Sequence, residues 1–153
     1  MMPKMEDNCR IEFQSAFFDL LQFMKLCCPT LVVQVGASVI NMGSRFCMCC
    51  GSGSLTYATS KEAVRALTKT LATECGRAKI RAKTILVAAT SPRALWYLRE
   101  SDTYDAGLAN VAICYFGTPE DVAPLEIFRA SDESHYTTGI TICVEGAVSC
   151  FRS

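Results

Sequence analysis

The sequence predicts an α/β domain built on a short parallel sheet. Three observations carry that expectation. Helix-like and strand-like segments alternate along the chain, the strand-like runs are rich in apolar residues, and the segments between them are long enough for helical crossovers. Consecutive strands joined through helices pair in parallel. The length, 153 residues, suits one domain over 1–153 with a hydrophobic core of its own.

Each element has a local reason. Apolar residues at 11, 13, 17, 18, 20, 21, 24 and 27 follow a helical period, which predicts an amphipathic helix over 10–28 that Pro29 ends. "LVVQVGASVINMG" has no charge and is rich in Val and Ile, as a buried strand over 37–42 requires. "SRFCMCCGSGS" reads as a loop. Residues 57–76 form the best helix: Ala58, Val64, Leu67 and Leu71 make one face, and Gly76 suits a C-terminal cap. "KIRAKTILVA" supplies a second strand. Residues 90–116 hold no strong period, with "SPRALWYLRESD" as a short helix inside a long connection. Thr118 then caps a helix with Pro119 at its first position and Asp121 three residues after the cap. Pro124 falls in its first turns, and "GITICVEG" is the third strand.

Composition narrows the function. Hydrophobic residues make up 50% and charged residues 20%, a globular balance. Fifteen Lys and Arg match fifteen Asp and Glu, so no basic excess recommends nucleic acid. "MMPKMEDNCRIEF" lacks the pattern of a secretory signal. The most apolar region, 11–28, contains Glu12, Asp19 and Lys25, so no uninterrupted membrane-spanning run is expected. The expectation is a cytoplasmic protein with neither nucleic acid nor membrane as partner. Ten cysteines invite a zinc reading through the C-x-x-C of Cys47 and Cys50 with Cys27 and Cys28. The second pair is adjacent rather than spaced, and the one histidine, His135, is remote; free thiols and no metal are expected instead.

"TYATSK" places Tyr57 and Lys61 four residues apart, on one face of a helix. Ser44 lies 13 residues before Tyr57, just after the apolar strand. Moving a proton to or from a carbonyl oxygen needs a donor at the oxygen, a positive charge to lower that donor's pKa, and a second hydrogen bond to orient the substrate. Tyr, Lys and Ser fill those roles.

On these residues the chain resembles the short-chain dehydrogenase/reductases. "SAFFDLLQFMK", "VINMGS", "YATSKEAVRALTKTLATE", "IRAKTILV" and "FGTPEDVAPLEIFRASDESHYTTGITICVEGA" look like successive family segments in the family's order, over about 11–147. The resemblance implies a Rossmann-like three-layer domain, truncated to its catalytic half. It also implies hydride transfer between an alcohol and a carbonyl with NAD or NADP. By resemblance Tyr57 is the general acid/base, Lys61 holds the nicotinamide ribose and lowers the tyrosine pKa, and Ser44 binds the carbonyl. Thr90 or Ser91 stands in for a threonine near the carboxamide, and the region 90–116, with Trp96 and Tyr97, corresponds to the substrate lid. The helices at 10–28 and 57–76 correspond to those through which the family forms homo- or hetero-oligomers.

The chain also departs from the family. The glycine-rich turn Gly-x-x-x-Gly-x-Gly is absent, and "GSGS" at 51–54 lies in a loop after the serine strand. Glu12 falls where the family has an asparagine, with Lys61 as its expected partner; Lys83, Val87 and Ala88 replace Asn and Pro-Gly. Without the preceding strand, 37–42 is expected to present an unpaired edge. Two readings stay open: an oxidoreductase, and a catalytically inactive fragment that associates with a full-length relative.

Overall fold

The sheet is assembled from three apolar runs. A computed structural model describes residues 2–34, 36–49 and 53–150. Strand β1 (Ala37–Met42) lies where the Val- and Ile-rich run predicts it. β1 pairs in parallel with β2 (Ile80–Val87), with Ala37 opposite Ile80 and Met42 opposite Ile85. β2 pairs in parallel with β3 (Thr141–Val144), from Thr84 opposite Thr141 to Val87 opposite Val144. The order is β1-β2-β3, so β2 is central and β1 is an outer edge among the described residues. Its position explains the burial of Ile80, Ala82, Ile85 and Leu86.

Helix α1 (Met2–Phe13) runs through a π-helical segment, Gln14–Phe18, into α2 (Asp19–Val33). The expected stop at Pro29 is thus corrected: the helix passes through it to Val33. Pro29 sits on the exposed side and costs one backbone hydrogen bond, while the covered stripe of Leu20, Leu21, Met24, Cys28 and Leu31 continues unbroken. A second expectation also changes. Glu6–Val33 forms 28 helical residues that are long and apolar enough, by length and composition alone, to cross a membrane. The apolar part is the C-terminal portion, Asp19–Val33, where Asp19 and Lys25 are the charges it carries.

A short α3 (Phe46–Cys49) stands inside the predicted loop. Helix α4 (Leu55–Cys75) follows, burying Ala58, Val64, Thr68 and Ala72, with Leu67 and Leu71 half-buried beside them. Gly76 does not make the left-handed stop expected of it. It keeps helical dihedrals, φ −59° and ψ −35°, and the chain tightens through Gly76–Ala78. Lys79 takes the left-handed conformation at φ 59°, its N–H closing the turn on the Gly76 carbonyl at 2.9 Å. The local turn overrides the usual glycine preference there.

Helices α5 (Pro92–Glu100) and α6 (Tyr104–Leu108) occupy the long connection; the second has too few periods to be legible from sequence. Helix α7 (Pro119–Ala130) begins as predicted. The Asp121 carboxylate accepts from the Thr118 N–H at 2.8 Å and from its hydroxyl at 3.1 Å.

Strand alternation sorts the layers. Asn41 faces α4, donating from Nδ2 to the Thr68 hydroxyl at 2.9 Å, whereas Ser38 faces α7 and donates to the Arg129 carbonyl at 2.8 Å. Helices on both faces make the expected three-layer α/β fold, Rossmann-like in its parallel order. Two fully buried cations meet where α7 packs on the sheet, Lys83 of β2 and Arg129 of α7 itself. Lys83 donates to the Arg129 carbonyl and, at 2.7 Å, to the Ser134 hydroxyl. Arg129 donates from Nη1 to the Thr84 carbonyl at 3.0 Å, while its Nε and Nη2 have no partner.

Candidate functional site

The end of β1 sets the site. Gly43 donates its N–H to the Ile85 carbonyl at 2.7 Å, which keeps the chain on the sheet for one residue past the strand. The chain then turns, and Ser44 is left at the rim, 6% exposed. Its Oγ accepts from the Phe46 N–H at 3.3 Å, and its carbonyl accepts from the Cys47 N–H at 3.0 Å, starting α3. A side chain at Gly43 would put its Cβ 2.5 Å from Leu86 Cδ2, so this passage depends on glycine.

Tyr57 projects from the first turns of α4, half-buried, with its ring edge-on to Phe46 at 6.0 Å. Lys61 follows one turn later. Its Nζ stands 5.8 Å from the Tyr57 ring centroid and donates to the Met42 carbonyl at 3.3 Å. The helical spacing thus brings the two together as the sequence predicts. The expected pairing of Lys61 with Glu12 does not form. Among the described residues the one ion pair is Arg65 with Glu62, at 2.7 Å.

A cavity of about 650 Å³ opens in front of Ser44 and Tyr57. Thr90 lines it, as do Val87 and Ala88, which stand where the resemblance places Pro-Gly. The Thr90 N–H is fixed on the Gly117 carbonyl at 2.8 Å. Ser91 is not brought to the cavity; it is exposed, and its carbonyl accepts from the Leu95 N–H in the first turn of α5. The 90–116 connection does wall the cavity, though not through Trp96. Trp96 is 61% exposed, and the Tyr97 side chain lies outside the described residues. Leu98, Gly107, Asn110 and Phe116 form the wall instead. Phe116 is braced edge-on by Tyr104 at 5.2 Å, and Gly107 leaves room for it, since a Cβ there would fall 3.1 Å from the Phe116 ring.

Arg45, Cys49 and Val148 line the cavity without having been anticipated. Arg45 had one cue, its place directly after Ser44; Val148 had none, because only the return of the chain after β3 brings it near. Of the zinc candidates, Cys50 lies outside the described residues. Among the described ones no group of three or more His, Cys, Asp and Glu could hold a metal. Burial pushes the Cys47 thiol pKa up, which favours the neutral form. His135 is exposed, its Nδ1 3.1 Å from the Asp132 carbonyl oxygen.

A family model described as enoyl-(acyl carrier protein) reductase matches residues 6–149, nearly the whole chain. This chain belongs to the short-chain dehydrogenase/reductase family. It is 33% identical over 126 residues to a 7alpha-hydroxysteroid dehydrogenase of Bacteroides fragilis, covering 82% of this chain and 48% of that protein. It is 32% identical over 120 residues to a 3-oxoacyl-[acyl-carrier-protein] reductase of Thermotoga maritima, covering 78% and 48%. The chain therefore spans about half the length of the curated relatives it matches. Among solved structures, a gluconate 5-dehydrogenase from Burkholderia cenocepacia in complex with NADP and tartrate superposes with a TM-score of 0.89. That match has 19% identity and covers 95% of this chain and 58% of the other, a likeness of fold.

Proposed function

We propose that this chain is the catalytic portion of an NAD(P)-dependent oxidoreductase that interconverts an alcohol and a carbonyl. The observation that carries the reading is the meeting of Ser44, Tyr57 and Thr90 on one cavity, with Lys61 one helical turn from Tyr57. When bound, the cofactor supplies or accepts the hydride. The Ser44 hydroxyl donates to the substrate oxygen and orients it. The Tyr57 phenol holds the proton that passes to or from that oxygen, and the Lys61 ammonium favours its departure. A cavity of 650 Å³ with hydroxyls from Ser44, Tyr57 and Thr90 suits the nicotinamide and ribose end of the cofactor. Tyr57, Lys61 and Thr90 are the residues that would hold it. Ser91 has no part in this reading, and no glycine-rich turn is present for the pyrophosphate.

Titration calorimetry of NADH and NADPH against the 153-residue chain tests this. Saturable binding is expected, weakened by about tenfold in Lys61→Ala through loss of a charge-assisted hydrogen bond. A folded chain that binds neither cofactor would refute the enzyme reading for this chain.

A second reading has its own support. The outer edge of β1 carries no strand among the described residues, and Ile11, Phe18, Phe23, Leu26, Val32 and Val33 are exposed on the long helix. Such surfaces favour association, and under this reading the chain acts by pairing with a longer relative. Sedimentation velocity on the chain, alone and mixed with such a relative, distinguishes the two: a mixed species without cofactor binding supports association.

A further inference from the structure

The cavity in front of Ser44 and Tyr57 has an uneven charge. Of the described residues that line it, Arg45 is the only charged one. No Asp or Glu is present, and the remaining wall is largely apolar, with Val87, Leu98, Val111 and Phe116. Arg45 immediately follows Ser44, so the turn that places the hydroxyl also places the guanidinium.

The guanidinium is held but not neutralised. It lies over the Phe46 ring, 4.6 Å from the centroid, and Nη1 is 3.6 Å from the Cys49 sulfur. Phe46 is braced in turn by Tyr57, so the cation sits on the same aromatic pair that flanks the proposed proton donor. No carboxylate of the described residues pairs with it. An arginine stays charged at any working pH, and its planar fork matches a carboxylate with two parallel hydrogen bonds. An unpaired guanidinium facing a mostly apolar cavity gives an anionic group an advantage that no other residue there cancels.

We infer that Arg45 selects the substrate's charge, and that the site takes keto acids or hydroxy acids whose carboxylate lies on the Arg45 guanidinium while the ketone or alcohol oxygen meets Ser44 and Tyr57. The inference rests on the proposed oxidoreductase reading of this cavity and adds the substrate class.

Pyruvate, acetoacetate and levulinate move the carboxylate one carbon further from the ketone at each step, and each has a neutral methyl ester. Binding of these six probes to the full chain is measured by ligand-observed NMR, in the wild type, Arg45→Met and Arg45→Lys. At least one acid is expected to bind roughly ten- to a hundredfold more tightly than its ester, with that advantage lost in Arg45→Met and partly kept in Arg45→Lys. If Arg45→Met does not fold, the wild-type acid-to-ester ratio and Arg45→Lys still decide. Equal binding of acids and esters overturns the inference and leaves the Ser44 and Tyr57 reading standing. An equal loss of NADH binding in Arg45→Met also overturns it, because the anion read would then be the cofactor's pyrophosphate. Failure of every probe to bind a folded chain overturns the cavity reading itself, and the inference with it.

Discussion

Replacing Lys83 with methionine should remove a component of stability that rises with alkaline pH. Lys83 is 0% exposed, and burial, with Arg81 and Arg129 nearby, lowers its pKa from 10.5 to about 8. The unfolded chain therefore binds more protons than the folded one between about pH 8 and 10.5, so this residue makes stability rise with pH across that window. Below about pH 8 the folded protein carries the ammonium at a cost, and the full gap corresponds to about 3 kcal/mol. The substitution orphans little. The Arg129 carbonyl still accepts from Ser38 at 2.8 Å, Arg81 at 3.1 Å and Ser134 at 2.9 Å, and the Ser134 hydroxyl keeps Arg81 at 2.7 Å. Thiols whose pKa is raised, those of Cys47, Cys75 and Cys143, work the other way as pH rises, so the quantity to follow is the difference between the two proteins. Urea melts by circular dichroism across the window provide it. The wild type should gain on Lys83→Met by up to about 3 kcal/mol from neutral to strongly alkaline pH. Parallel curves would refute the reasoning, because they would mean that Lys83 titrates alike in both states.

Three further substitutions have definite expected outcomes. Arg129→Leu removes a buried guanidinium with two unpartnered nitrogens and should stabilise the fold by about 1–4 kcal/mol; a lower urea midpoint would contradict this. The same change removes a cation from beside Lys83 and should flatten the pH response above. Gly43→Ala forces a methyl group against Leu86, Thr84 and the Ile85 carbonyl and should cost about 1–3 kcal/mol, with an unchanged melting temperature counting against the tight passage. Asp121→Asn should remove an acid-sensitive component of stability. The Asp121 carboxyl is held below 3.8, chiefly by the Thr118 N–H, so its contribution is present above that pH and lost as pH falls through the folded value. Thermal melts of the two proteins should converge on acidification.

Features set by neighbours in the chain were legible in the sequence. The strand at 37–42, the start of α7 at Thr118 and the facing of Tyr57 by Lys61 each follow from apolar period, cap chemistry or helical spacing. The order of these elements also carried the family. Features set by a balance between distant parts were not. Pro29 reads as a stop, yet the stripe through Leu31 keeps the helix going. Glu12 reads as a partner for Lys61, yet the ammonium is taken by the Met42 carbonyl. Trp96 reads as a residue over the site, yet it is exposed while Leu98 and Phe116 of the same connection line the cavity.

The sequence by itself indicated the alternation of elements and put Tyr57 and Lys61 on one helix face, because side-chain spacing is a local property, and the order of the elements implied parallel pairing. Only the tertiary structure decided that Arg45 is the sole charge on the cavity among its described lining residues, that Ser91 stays outside it, and that Lys83 and Arg129 are buried together. Charge and burial depend on what the fold brings up from far along the chain. Arg129 meets Lys83 across 46 residues, and no periodicity encodes that distance.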